Sequence, residues 1–202
     1  MKSVTSIAVG VLVAASIGAG AWLARAQHAA KPVELQSGTL LDAPRAVAPF
    51  SMLDQDGKPF GNAQLVGHWS VLFAGFTHCP DVCPTTLAVL KQVGERMQAK
   101  APAMLFLTVD PERDTPAALK PYVGFFGANV TGLSGSADQL QRLAESLGVA
   151  YIKVPGAKPG EYTMDHSAAL VLIDPQGRVA GYFTPPHRAD TLAADLTRVT
   201  AS

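Results

Sequence analysis

Short apolar runs alternate with amphipathic stretches along this chain, and that alternation predicts most of its elements. Trp69 to Phe76 (WSVLFAGF) is an apolar, aromatic-rich run of strand length. Such a run fits a strand covered on both faces. Met104 to Val109 is a second one. From Thr85 to Lys100, Leu87, Leu90, Val93 and Met97 recur at helical spacing, so the two strands are joined by an amphipathic helix. Lys100-Ala101-Pro102 closes that helix with a basic residue and a proline. A further helix is predicted from Pro116 to Phe126, a short strand near Val130 to Leu133, and a third helix from Ser136 to Leu147. Ser136 or Asp138 serves as its cap, and Gly148 ends it. Val149 to Pro155 reads as a strand of mixed character, followed by a Gly-, Pro- and Lys-rich loop to Tyr162. His187-Arg188-Ala189-Asp190 opens a last helix with Leu192, Leu196 and Val199 on one face.

Two hairpins frame this series. The first runs through Phe50–Leu53 and Lys58–Phe60 about Asp54-Gln55-Asp56-Gly57. The second runs through Ser167–Ile173 and Arg178–Thr184 about Asp174-Pro175-Gln176-Gly177, with Pro and Gly where a type I turn takes them. Alternating strands and helices followed by a late hairpin predict a single α/β domain whose central sheet is mixed.

The first residues follow another rule. Met1-Lys2-Ser3 makes a short positive start, and Val4 to Leu23 is a run of twenty residues without a charge. About 20 apolar residues in a helix span a bilayer core. Residues 1–27 are therefore read as an uncleaved signal anchor. A cleaved signal peptide is the alternative, because Ala24-Arg25-Ala26 has the small-x-small form of a cleavage site. Either way the rest of the chain is expected on the extracytoplasmic (periplasmic) side, with the membrane as a partner through the anchor. The absence of a cysteine near residue 20 excludes a lipoprotein. Residues 28–45 lack clear periodicity and read as a tether, leaving 46–202 as the folded domain.

Charge adds an exclusion. The 202 residues hold 16 basic and 16 acidic groups. Past residue 28 the balance is 14 basic to 16 acidic, net −2. Such a domain has no basic field for nucleic acid, and no solenoid or propeller repeat is evident.

The chemistry gathers at Phe76-Thr77-His78-Cys79-Pro80-Asp81-Val82-Cys83-Pro84, which holds both cysteines of the chain. They fall on the turn from the apolar strand into the helix. Pro84 suits the first helical position, which puts Cys83 at the cap, where amides and dipole favour a thiolate. A disulfide staple is the plain reading for an exported protein. Yet so small a loop restricts the unfolded chain little, and a domain with a full core has little need of a staple. A functional dithiol is favoured. Two soft thiolates suit Cu(I) and also Zn²⁺, and a third ligand must then come from elsewhere. His28 lies in the tether, His68 at the far end of the strand, and His187 where it can cap the last helix. His78, adjacent to Cys79, points the opposite way along an extended chain. His166, in Met164-Asp165-His166-Ser167, stands where a long loop enters a buried strand, Ala168 to Ile173. It overhangs the thiols if that strand lies beside the cysteine strand.

Gly75 to Pro84, Val109-Asp110-Pro111-Glu112-Arg113-Asp114-Thr115-Pro116, and Asp165-His166-Ser167 with Asp174-Pro175-Gln176-Gly177 together resemble the three signature blocks of the Sco/SenC family. The resemblance covers roughly residues 46 to 200. Those proteins are membrane-anchored, thioredoxin-like copper chaperones of cytochrome c oxidase assembly. Carried over by position, the resemblance implies one copper held by Cys79, Cys83 and His166, as Cu(I) and, with added ligands, Cu(II). Zinc is the alternative metal. The implied role is a metallochaperone rather than an enzyme, loading the dinuclear copper centre of an oxidase subunit. The competing reading is a thiol–disulfide oxidoreductase in which Cys79 and Cys83 reduce the target's cysteines. Both need a thiol reductant as a further partner. A peroxidase has no use for the histidine. Asp81, Asp110 and Asp114 are candidates for shaping the site or a docking surface. Capping and turn formation are the plainer roles, favoured for Asp114 before Thr115-Pro116.

Overall fold

The computed structural model describes residues 34–127 and 129–201. The expected anchor and the first third of the tether, residues 28–33 with His28, lie outside them. No helix among the described residues is long and apolar enough to cross a membrane.

Among the described residues, ten strands and four α-helices follow in order. They are β1 (Gly38–Ala46), β2 (Ser51–Asp54), β3 (Pro59–Gly61), β4 (Ser70–Gly75), α1 (Val82–Met97), β5 (Ala103–Thr108) and α2 (Pro116–Phe126). Then come β6 (Val130–Ser134), α3 (Ala137–Leu147), β7 (Tyr151–Pro155), β8 (Tyr162–His166), β9 (Leu170–Ile173), β10 (Arg178–Phe183) and α4 (Ala189–Thr200). Eight strands form one mixed sheet in the order β1-β10-β9-β4-β5-β6-β2-β3, and β7 with β8 forms a separate pair. β4, β5 and β6 are parallel. β9 runs antiparallel to β4, with Ser70 opposite Ile173 and Phe73 opposite Leu170. That pairing supplies the neighbour relation His166 needed. Every residue of β4 and of β9 is buried, which is why both read as unbroken apolar runs.

The two Asp-x-x-Gly turns are built alike. Asp54 accepts from the amides of Asp56 and Lys58, and Asp174 from those of Gln176 and Arg178. Gly57 and Gly177 hold the left-handed conformation that closes each turn. Ser136 caps α3 by accepting from Gln139 N, and Gly148, at φ 71°, ends it.

Two stretches depart from the expected layout. Residues 38–45, assigned to the tether, form β1 together with Ala46, paired antiparallel with β10 from Gly38↔Phe183 to Ala46↔Arg178. β1 is an edge strand largely open to solvent, so it carries no apolar alternation to read. Asp195, fully buried in α4, fastens the segment before it by accepting from Gln36 N (3.0 Å), Ser37 N (2.8 Å) and Ser37 Oγ (2.8 Å). The second departure is β8. Residues 162–166, taken as loop, pair with β7 from Tyr151↔His166 to Pro155↔Tyr162. Only Met164 of that strand is buried, so its sequence looks like loop.

Candidate metal centre

The cysteine loop leaves β4 at Gly75 and enters α1 at Val82. Asp81 is the N-cap, so Cys83 and Pro84 sit inside the first turn rather than at the cap and first position. Pro84 is tolerated there because first-turn amides have no intrahelical partner. The Cys83 amide, one of those free donors, points at Cys79 Sγ, 3.4 Å away. The helix start therefore serves the sulfur of Cys79. Cys83 itself is fully buried, and Cys79 is half-buried. Burial pushes the Cys83 thiol well above the ordinary thiol range, and its hydrogen bond with the Cys79 side chain adds to the shift. This reverses the thiolate expected at Cys83: desolvation outweighs the dipole.

His166 closes β8 and swings its ring over the buried sulfur. Its Nε2 lies 3.5 Å from Cys83 Sγ. Its Nδ1 lies 3.1 Å from the carbonyl of Ser167. A carbonyl only accepts, so that contact assigns the proton to Nδ1 and leaves the Nε2 lone pair facing the thiols. Phe73 and Phe76 meet the imidazole edge-on at 5.9 and 6.0 Å, which holds its plane. The ligand atoms of Cys79, Cys83 and His166 all lie within 4.8 Å of one another.

The other described histidines stay apart. His78 is exposed, with Nδ1 3.0 Å from Thr77 Oγ1. His68 is exposed before β4. His187 does not cap α4, whose N-cap is Arg188. Its Nε2 instead lies 2.9 Å from the Ala168 carbonyl.

The acidic turn contributes more than capping. Thr115, not Asp114, caps α2, with Pro116 at its start. Asp114 is fully buried and accepts from Thr77 N (2.8 Å), Thr77 Oγ1 (2.5 Å) and Thr108 Oγ1 (2.7 Å). It thus pins the cysteine loop to the end of β5. One signal was available: Thr115-Pro116 already supplies cap and first residue, which leaves Asp114 surplus to the helix. Asp110 is also buried, and Arg113 Nε pairs with it. Asp81 stays exposed; Thr85 Oγ1 donates to it at 3.4 Å.

Two thiols and an imidazole with a free lone pair, meeting where a buried strand turns into a helix, define a thioredoxin-like domain with a soft-metal ligand set. The SCO1/SenC family model matches residues 39–201, and the chain belongs to that family. It is 38% identical over 200 residues to the mitochondrial SCO2 homolog of Bos taurus, covering 96% of this chain and 74% of that one. Bradyrhizobium japonicum ScoI, solved with copper bound, is 40% identical with a TM-score of 0.70, over 76% of this chain and 98% of that one. At 23% identity and a TM-score of 0.64, over 80% of this chain and 98% of its own, BsSco shares the fold. BsSco has a disulfide switch and is a member of the Sco family of cytochrome c oxidase assembly proteins.

Proposed function

We propose that this chain is a copper chaperone that binds Cu(I) through Cys79, Cys83 and His166 and delivers it to the dinuclear copper centre of cytochrome c oxidase. The observation that carries this reading is the convergence of those three ligand atoms within 4.8 Å. Two thiolates and a neutral imidazole around Cu(I) leave a three-coordinate site of net charge −1. Because Cys79 is half-buried, an incoming thiolate can reach the ion from its side, and an unsaturated site lets it leave. Copper-bound ScoI from Bradyrhizobium japonicum and the family's link to oxidase assembly support the same cargo and target. The domain works on the extracytoplasmic side, held to the membrane by residues 1–27.

Anaerobic titration of the reduced protein with Cu(I), in competition with a chromophoric chelator, tests this. His166→Ala is expected to abolish tight binding while Cys79 and Cys83 still form a disulfide. Unchanged affinity in that variant removes the three-ligand site. Zinc supplied at equal concentration is expected to leave the copper in place, and displacement by zinc overturns the choice of metal.

The unequal burial of the two sulfurs favours a second reading, thiol–disulfide exchange. The more open Cys79 thiolate attacks a partner disulfide, expelling one partner sulfur. Cys83 then displaces the other, leaving Cys79–Cys83 oxidised and the partner carrying two thiols. This reaction has no use for His166, so the same variant separates the two readings.

A further inference from the structure

The turn from β5 to α2 touches both halves of the site. On one side Asp114 pins Thr77 of the cysteine loop, as above. On the other, Asp110 and Arg113 grip Tyr162, the first residue of the strand that His166 ends. The Tyr162 hydroxyl donates to Asp110 Oδ1 at 2.9 Å. Arg113 Nη1 donates to the Tyr162 carbonyl at 3.3 Å, and its guanidinium lies 3.8 Å over the Tyr162 ring. Lys153 of β7 covers the same ring at 3.9 Å and pairs with Glu112 of the turn at 2.7 Å. Burial and the bond to Asp110 push the Tyr162 phenol up to about 12.

This grip matters because β7 and β8 form no ladder with the eight-stranded sheet. A two-stranded ribbon is marginal without packing. The β9–β4 pairing brings the chain beside the cysteine strand but stops short of His166, so the side-chain contacts of the hairpin hold the imidazole at its height above Cys83.

We propose that Tyr162, clasped by Asp110 and Arg113, is a positioning residue for His166: it fixes the hairpin over the thiols and so sets the affinity for Cu(I). The proposal rests on the copper reading above. Tyr162 and Arg113 are not in the ligand cluster, so both act through the imidazole.

A double-mutant cycle tests it. Cu(I) affinity of the reduced protein is measured by competition with bicinchoninate for the wild type, Tyr162→Ala, His166→Ala and the double variant. Tyr162→Ala is expected to weaken binding about 10- to 100-fold, the usual loss when a partner that orients a metal ligand is removed. Tyr162→Phe keeps the ring under the guanidinium and is expected to lose less. In the His166→Ala background, Tyr162→Ala is expected to change nothing further. Wild-type affinity in Tyr162→Ala, or an equal loss in both backgrounds, overturns the positioning role. The copper reading fails separately, if His166→Ala binds Cu(I) like the wild type. Amide hydrogen exchange of the metal-free, reduced protein then decides the clasp alone. Tyr162→Ala is expected to speed exchange in β7 and β8 and not in β4 and β5; unchanged hairpin exchange overturns the proposal.

Discussion

Gly75 ends β4 directly beside the buried sulfur, and giving it a methyl group tests how tightly the site is built. A Cβ there lies 2.9 Å from Cys83 Sγ and 2.7 Å from Phe106 Cε2, where ordinary contact begins at 3.4 Å. Cys83 and Phe106 are both fully buried, so neither has open space to retreat into. Restoring ordinary contact moves the sulfur by 0.5 Å, from 2.9 to 3.4 Å. Overpacking of this kind costs about 1–3 kcal/mol. The stiffer unfolded chain of an alanine variant returns about 0.4–1 kcal/mol. Gly75→Ala is therefore expected to lose about 1–2 kcal/mol, a drop in urea midpoint of about 0.5–1 M at an ordinary denaturant slope. The functional effect should exceed the stability effect. Metal sites tolerate ligand errors of about 0.2 Å, so a sulfur displaced by more than that should cost about tenfold or more in Cu(I) affinity. Urea unfolding of the reduced, metal-free protein and chelator competition measure the two. An unchanged midpoint with unchanged affinity refutes the steric argument. A lower midpoint with full affinity shows that the Phe106 ring, and not Cys83, absorbs the strain.

Asp114→Asn turns a fully buried acceptor of three hydrogen bonds into a group that cannot accept them all. Hydrogen bonds to a charged group contribute about 1.5–3 kcal/mol each, so a loss of about 2–4 kcal/mol is expected by urea unfolding; wild-type stability shows the carboxylate to be dispensable. The cysteines should differ in reactivity. Under limiting iodoacetamide the half-buried Cys79 is expected to be alkylated ahead of buried Cys83, as peptide mass spectrometry reads directly, and the reverse order contradicts the burial argument. The raised thiol of Cys83 also sets a sign. A group whose folded pKa exceeds its unfolded one stabilises the fold fully below the unfolded value, about 8.5 for a thiol, and loses that contribution as pH rises through it. The reduced, metal-free protein should therefore lose stability above that pH more steeply than Cys83→Ala, and parallel curves dismiss the desolvation.

Much of the fold was legible because its central strands obey one rule. β4, β5 and β9 are buried along nearly their whole length, and a strand without a solvent face leaves an apolar run no loop produces. α1 and α3 were equally readable from their stripes. The illegible pieces are held by contacts that leave no periodic mark. β1 lies on a sheet edge and is secured by an acid from the other end of the chain, Asp195. β8 pairs only with β7, so backbone hydrogen bonds rather than an apolar face make it a strand.

The site divides along the same line. The cysteine pair is local, three residues apart on one turn, and its chemistry follows from composition and position. His166 is non-local, and residue spacing alone left it one candidate among several until β9 was known to lie beside β4. The acidic turn was harder still. Its charges satisfy a capping rule when read locally, and only the folded chain reveals that Thr115 has taken that role, leaving Asp114 to the cysteine loop and Asp110 to the histidine hairpin. A local rule that explains a residue cheaply hides any long-range duty the same residue performs. The sign to look for is therefore redundancy: an acid beside a Thr-Pro pair that already caps its helix has been kept for another partner.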